Sequence, residues 1–85
     1  MKIQIEPHTL QRAIERGASE SEIKETIETG TNILAGQGRL GKSKIYPFGS
    51  SRNNKFYEEK KVEVYFVVEN ETIITVTIYV FYGKF

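Results

Sequence analysis

The sequence predicts an α+β fold: two short N-terminal helices packed on a mainly antiparallel, twisted sheet of about four strands. Three observations point there. Apolar residues recur at helical spacing over residues 7–29, they alternate with polar ones from Lys61 onward, and glycine- and asparagine-rich stretches separate the runs. A chain of 85 residues is expected to form one domain, residues 1–85, with room for one core and one shallow site.

The alternation of Lys2 to Ile5 allows a short first strand. Pro7 suits the first position of a helix, where its missing N–H costs nothing. Leu10, Ala13 and Ile14 follow at helical spacing, and Gly17 is the expected stop, with Arg16 in the last turn. Ser19 and Glu22 have the spacing of a capping box for a second helix, and Ala18 and Ile23 that of a hydrophobic staple across its start. Ile23 and Ile27 form its buried stripe, and Gly30 ends it. Helices this short are unstable alone and must pack on a partner.

That partner is the C-terminal half. Val62, Val64, Phe66 and Val68 are expected on one face of a strand, with Glu63, Tyr65, Val67 and Glu69 on the other. Asn70-Glu71 reads as a hairpin turn. In the next strand Ile74, Val76, Ile78 and Val80 are assigned to the core, and Ile73, Thr75, Thr77, Tyr79 and Phe81 to the opposite face. Ile14, Ile23, Ile27, Val64, Phe66, Val76 and Ile78 are expected to be buried. Between the halves, Gly36, Gly38, Gly41 and Gly49 punctuate an irregular region. It holds a strand near Lys44–Phe48, a turn or loop over residues 50–54 and the start of a further strand at Phe56-Tyr57.

Composition excludes several chemistries. With no cysteine there is no disulfide, thiolate nucleophile or cysteine-based zinc site, which fits a reducing, cytoplasmic setting. All eleven acidic residues are glutamate and there is one histidine, poor material for a metal site, so no metal or cofactor is expected. Met1 to Leu10 has no apolar signal-peptide core. Ile73 to Tyr82 is far short of the ~20 residues a membrane span needs, and no membrane association is expected. Residues 36–43 fit G-x-x-x-x-G-K-[ST] letter for letter. A phosphate loop needs a buried strand before it and a helix after it, and Lys44 to Phe48 does not read as a helix. Triphosphate binding is not expected.

Charge and aromatic residues mark three candidate sites. At about 100° per residue, His8, Arg12 and Glu15 fall within an arc of about 60° on the first helix, with Arg16 at its edge and Leu10 and Ile14 opposite. An imidazole can take or give a proton, and a guanidinium can grip a phosphate with two donors. The net charge of +1 hides a segregation: residues 39–61 carry seven basic and two acidic side chains, while each flank is net −2. Within that block Lys42, Lys44, Arg52 and Lys55 are interleaved with Tyr46, Phe48, Phe56 and Tyr57, a mixture suited to phosphates and exposed bases. Thr75, Thr77 and Tyr79 form a row of hydroxyls, with Tyr82 beyond. Each feature has a plain alternative: a solvated helix face, core aromatics at strand spacing, or threonine as a good strand former.

The pattern His8-x-x-x-Arg12-x-x-x-Arg16-Gly17-Ala18-Ser19, then Ile23 and Ile27 before Gly30, then the strands Lys61–Glu69 and Ile73–Lys84, resembles a prokaryotic family, domain of unknown function number 4258. That family is grouped by fold with the barnase, EndoU, colicin and RelE-like ribonucleases, many of them toxins of toxin–antitoxin systems. The resemblance implies helices packed on an antiparallel sheet whose exposed face carries the active site. It implies a metal-independent endoribonuclease in which an RNA 2′-hydroxyl attacks the adjacent phosphate. His8, Arg12 and Tyr79 are then the candidate catalytic residues, with Tyr57 as an alternative proton carrier to Tyr79 and Glu15 orienting His8 or Arg12. Arg16, Lys42, Lys44, Arg52, Lys55 and Tyr57 are the candidate RNA contacts. RNA is the expected partner, the analogy implies an antitoxin protein, and a homodimer is left open. The rival expectation is a non-catalytic RNA- or protein-binding module.

Overall fold

The computed structural model describes residues 1–85 and has the order β1 (Lys2–Gln4), α1 (Pro7–Arg16), α2 (Glu20–Thr29), β2 (Thr31–Ile33), β3 (Leu40–Arg52), β4 (Lys55–Glu69) and β5 (Thr72–Gly83). It is an α+β fold with one five-stranded sheet, in spatial order β1-β5-β4-β3-β2. Every neighbouring pair is antiparallel except β1 with β5. Five strands replace the expected four because Thr31–Ile33 adds a short strand at one edge, while Lys2–Gln4 forms the other. The residues fitting the phosphate-loop pattern run into β3, with no helix after them. No helix is long and apolar enough to cross a membrane.

Local chemistry explains the boundaries. Gly17 takes φ 91° and closes α1, and the Ala18 N–H reaches back to the Ala13 carbonyl at 2.7 Å. A Cβ on Gly17 would stand 2.2 Å from the Tyr82 hydroxyl, so both backbone sign and space require glycine. Ser19 and Glu22 form the reciprocal capping box of α2. Both long hairpins turn on two residues with positive φ, Asn53-Asn54 and Asn70-Glu71, as a type I′ turn demands. Residues 50–52, expected in the turn, are therefore still strand.

The helices cover one face of the sheet, and the core between them holds Ala13, Ala18, Ile23, Ile27, Val62, Val64, Phe66 and Ile78. Ile14 and Val76, both expected in the core, are not buried. Ile14 is 65% exposed, because α1 turns Thr9 and Ala13 to the sheet, with Leu10 at the margin. Those small residues let the helix sit close. Val76 is only half-buried because it is the extra residue of a β-bulge: Tyr65 pairs with Thr77, but Phe66 pairs with Thr75. The bulge reverses the alternation of β5. Ile73 and Thr75 lie on the helix side before it, and Ile78 and Val80 after it. Thr77 and Tyr79 are left on the outer side with their partners Tyr65 and Glu63.

Candidate functional site

Beyond its short pairing with β1, β5 has an open edge, and α1 lies along it. His8 Nε2 meets the Val76 carbonyl at 3.1 Å. A carbonyl only accepts, so Nε2 carries the hydrogen, and in the neutral ring Nδ1 is the nitrogen with the lone pair. Two turns on, Arg16 donates from Nη1 to the Ile78 carbonyl at 2.6 Å, and its guanidinium lies 5.6 Å from the centre of the Tyr79 ring. His8 and Arg16 thus satisfy carbonyls of an edge that would otherwise invite another strand. Both are joined to the stretch of β5 that carries Tyr79.

Tyr79 is 45% exposed on the outer face. It meets Tyr65 edge-on at 5.9 Å and lies beside Phe81 at 6.4 Å with the rings nearly parallel. Tyr65, Thr77 and Tyr79 floor an open depression of about 350 Å³ whose far wall is the β2–β3 turn with Arg39. Gly41 makes this floor possible: the Tyr65 ring lies across it, and a Cβ there would come within 3.1 Å of that ring. The Tyr65 hydroxyl donates to Glu63 at 3.0 Å. Burial first, and that carboxylate second, push the Tyr65 phenol above its usual value of 10.0. At neutral pH Tyr65 is therefore a proton donor.

The other expected residues are scattered. Arg12 is exposed and lines a shallow groove with His8, Gln11 and Glu15. Glu15 accepts from the Gln11 side chain at 3.2 Å, so it orients neither His8 nor Arg12. Lys44 lies on the helix side of the sheet, bonded to Thr29 Oγ1 at 2.8 Å and paired with Glu25 at 3.5 Å. Lys42 lines a separate depression beside Phe66. Arg52 donates to the Glu15 carbonyl at 2.9 Å and covers Tyr82. Tyr57 packs on Tyr82, with Lys55 over it. Tyr82 in turn donates its hydroxyl to the Arg16 carbonyl at 2.5 Å. Thr75 leaves the expected hydroxyl row altogether: it is 1% exposed, and its Oγ1 accepts the Glu6 N–H at 3.0 Å.

The basic block is therefore not one patch. Lys44, Lys60 and Lys61 pair with Glu25, Glu22 and Glu63, while Arg39, Lys42, Arg52 and Lys55 take part in no ion pair. Sequence reasoning missed Arg39, Glu63 and Tyr65 as site residues. Glu63 and Tyr65 had a readable signal, because they alternate to the solvent side of a strand whose hairpin partner carries Thr77 and Tyr79. Arg39 had none, since only the turn of the β2–β3 connection brings it over the sheet. No three histidine, cysteine or acidic side chains cluster. No protein-family model, curated protein or solved structure matches this chain.

Proposed function

We propose that this protein is a metal-independent endoribonuclease acting in the cytoplasm, and that RNA lies across the outer sheet face at the β5 edge. One observation carries the reading: a fixed guanidinium, Arg16, lies against an exposed phenol, Tyr79, beside a depression rimmed by an unpaired Arg39. Cations and a proton carrier side by side are what phosphodiester transesterification needs. The RNA 2′-oxygen attacks the adjacent phosphorus as its proton leaves to a base, for which His8 Nδ1 is free. The 5′-oxygen departs with a proton from the Tyr79 phenol, giving a cyclic phosphate and a 5′-hydroxyl. Arg16, fixed beside Tyr79, holds the charge that builds on the phosphorane, and Arg39 across the depression holds a neighbouring phosphate. An enzyme of this kind needs a check on its activity, and the toxin-type reading supplies an antitoxin protein.

Tyr79→Phe and His8→Ala are each expected to slow cleavage of a mixed RNA pool by about 10²–10⁴-fold. Cleavage is expected to persist in excess chelator, and Tyr79→Phe should leave thermal stability nearly unchanged. Equal cleavage by wild type and both variants would remove these residues from the mechanism. A second reading, a non-catalytic RNA-binding module, draws on one specific observation: His8 and Arg16 already spend donors on edge carbonyls, a structural task. Salt-sensitive RNA binding by the wild type without cleavage would establish that reading instead.

A further inference from the structure

The outer face continues past Tyr79. Phe81 is 44% and Phe85 49% exposed, large apolar rings left open to solvent. Lys61, opposite Phe81 in the β4–β5 ladder, places its ammonium 5.4 Å from the Phe81 ring and 4.9 Å from the Phe85 ring. The Phe85 N–H is tied to Glu59 at 2.7 Å, which holds the C-terminus against β4. From one end of the face to the other, the order is Arg39, Tyr65 and Tyr79, then Arg16 over Tyr79, then Phe81, Lys61 and Phe85. Two carboxylates lie among them: Glu63 is engaged by Tyr65 and Lys61, and Glu59 by the Phe85 N–H.

Aromatic faces interleaved with cations match a chain that alternates bases and phosphates. Sequence-tolerant binding of single strands is built this way, with bases stacked on rings and phosphates on lysine and arginine. A duplex cannot use such a surface, because its bases are already stacked and paired. We infer that the substrate is single-stranded RNA, with successive bases stacked on Tyr79 and Phe81 and the phosphate beyond them held by Lys61 between Phe81 and Phe85. This rests on the endoribonuclease reading for the nature of the ligand, but adds Phe81, Lys61 and Phe85, which take no part in the cleavage step.

The probe is a short 2′-O-methyl RNA, which lacks the attacking hydroxyl, carrying 2-aminopurine, alone or annealed to its complement. Wild type should quench the single-stranded probe and bind the duplex much more weakly. Phe81→Leu keeps apolar bulk and removes the ring, and is expected to raise Kd for the single strand about 5- to 100-fold, with Phe81→Trp restoring it. Phe85→Ala, which lies beyond β5 and outside the buried core, should weaken binding in the same direction. Unchanged single-strand affinity in both Phe81→Leu and Phe85→Ala, equal affinity for the duplex, or no binding by wild type would overturn the inference. The two readings separate cleanly. RNA cleavage that is indifferent to Phe81 and Phe85 leaves the enzyme standing without the stacking track. Ring-dependent binding without any cleavage leaves the track standing without the enzyme.

Discussion

Thr75 and Thr77 are the same residue type two positions apart, and they face opposite sides of the sheet. Thr75 Oγ1 accepts the N–H of Glu6, which precedes α1, in a nearly closed environment. Replacing it with valine keeps the shape but strands that N–H, at a cost of about 1–3 kcal/mol. Thr77 floors the outer depression, and the same change there should move stability by no more than about 0.5 kcal/mol. Urea unfolding of Thr75→Val and Thr77→Val checks this, and equal destabilisation would place both on one face. A period-two reading of β5 cannot see the difference, since an extra residue leaves no mark on composition. The conflict was nonetheless legible. Carrying the Glu69–Thr72 pair straight back would set Glu63 against Ile78, leaving a charged and a core residue on one side. The bulge pairs Glu63 with Tyr79 instead. The acid–base arc of α1 was also legible, but its rotation was not. Leu10 and Ile14 are the larger apolar residues, yet Thr9 and Ala13 win the buried positions by allowing closer approach.

At the scale of elements, the charge segregation of the sequence is largely an internal pairing. The glutamates of α2 face the lysines of β3 and β4: Glu22 holds Lys60 at 2.9 Å, and Glu25 holds Lys44 at 3.5 Å. Tyr46 completes the contact, donating to Glu25 at 2.7 Å. That hydrogen bond, followed by the charge of Lys44, keeps Glu25 below its usual 4.5. Its share of stability is present above that value and is lost as pH falls through the lowered one. Tyr46 moves the other way. Burial, with the adjoining carboxylate, pushes its phenol from 10.0 up to about 12. The folded state holds that proton more tightly, so this contribution is full below pH 10 and lost as pH rises toward 12. Tyr46→Phe should cost about 1–2 kcal/mol at neutral pH. Its deficit against wild type should shrink between pH 10 and 12, as followed by denaturant unfolding across that range. A deficit constant with pH would contradict the docking described. Caps and hairpin turns were plain in the sequence, because Ser19, Glu22, Gly17 and the asparagines each do a local job. The function of Lys44 and Lys60 was not, because their partners lie a helix away in the chain.

For the whole molecule, β3 and β4, of 13 and 15 residues, make a body 43 Å long with two unlike faces. One is sealed by helices and neutralised by their glutamates. The other presents Tyr65, Tyr79, Phe81 and Phe85 among Arg16, Arg39 and Lys61, and the account assigns RNA to it. Amide chemical-shift mapping with the 2′-O-methyl single strand tests that assignment most directly. RNA on the outer face should give salt-sensitive shifts at Arg39, Tyr65, Thr77, Tyr79 and Phe81, with α2 and the Lys44–Tyr46 stretch undisturbed. Shifts centred on α2 and Lys44, or none at low salt, would contradict it.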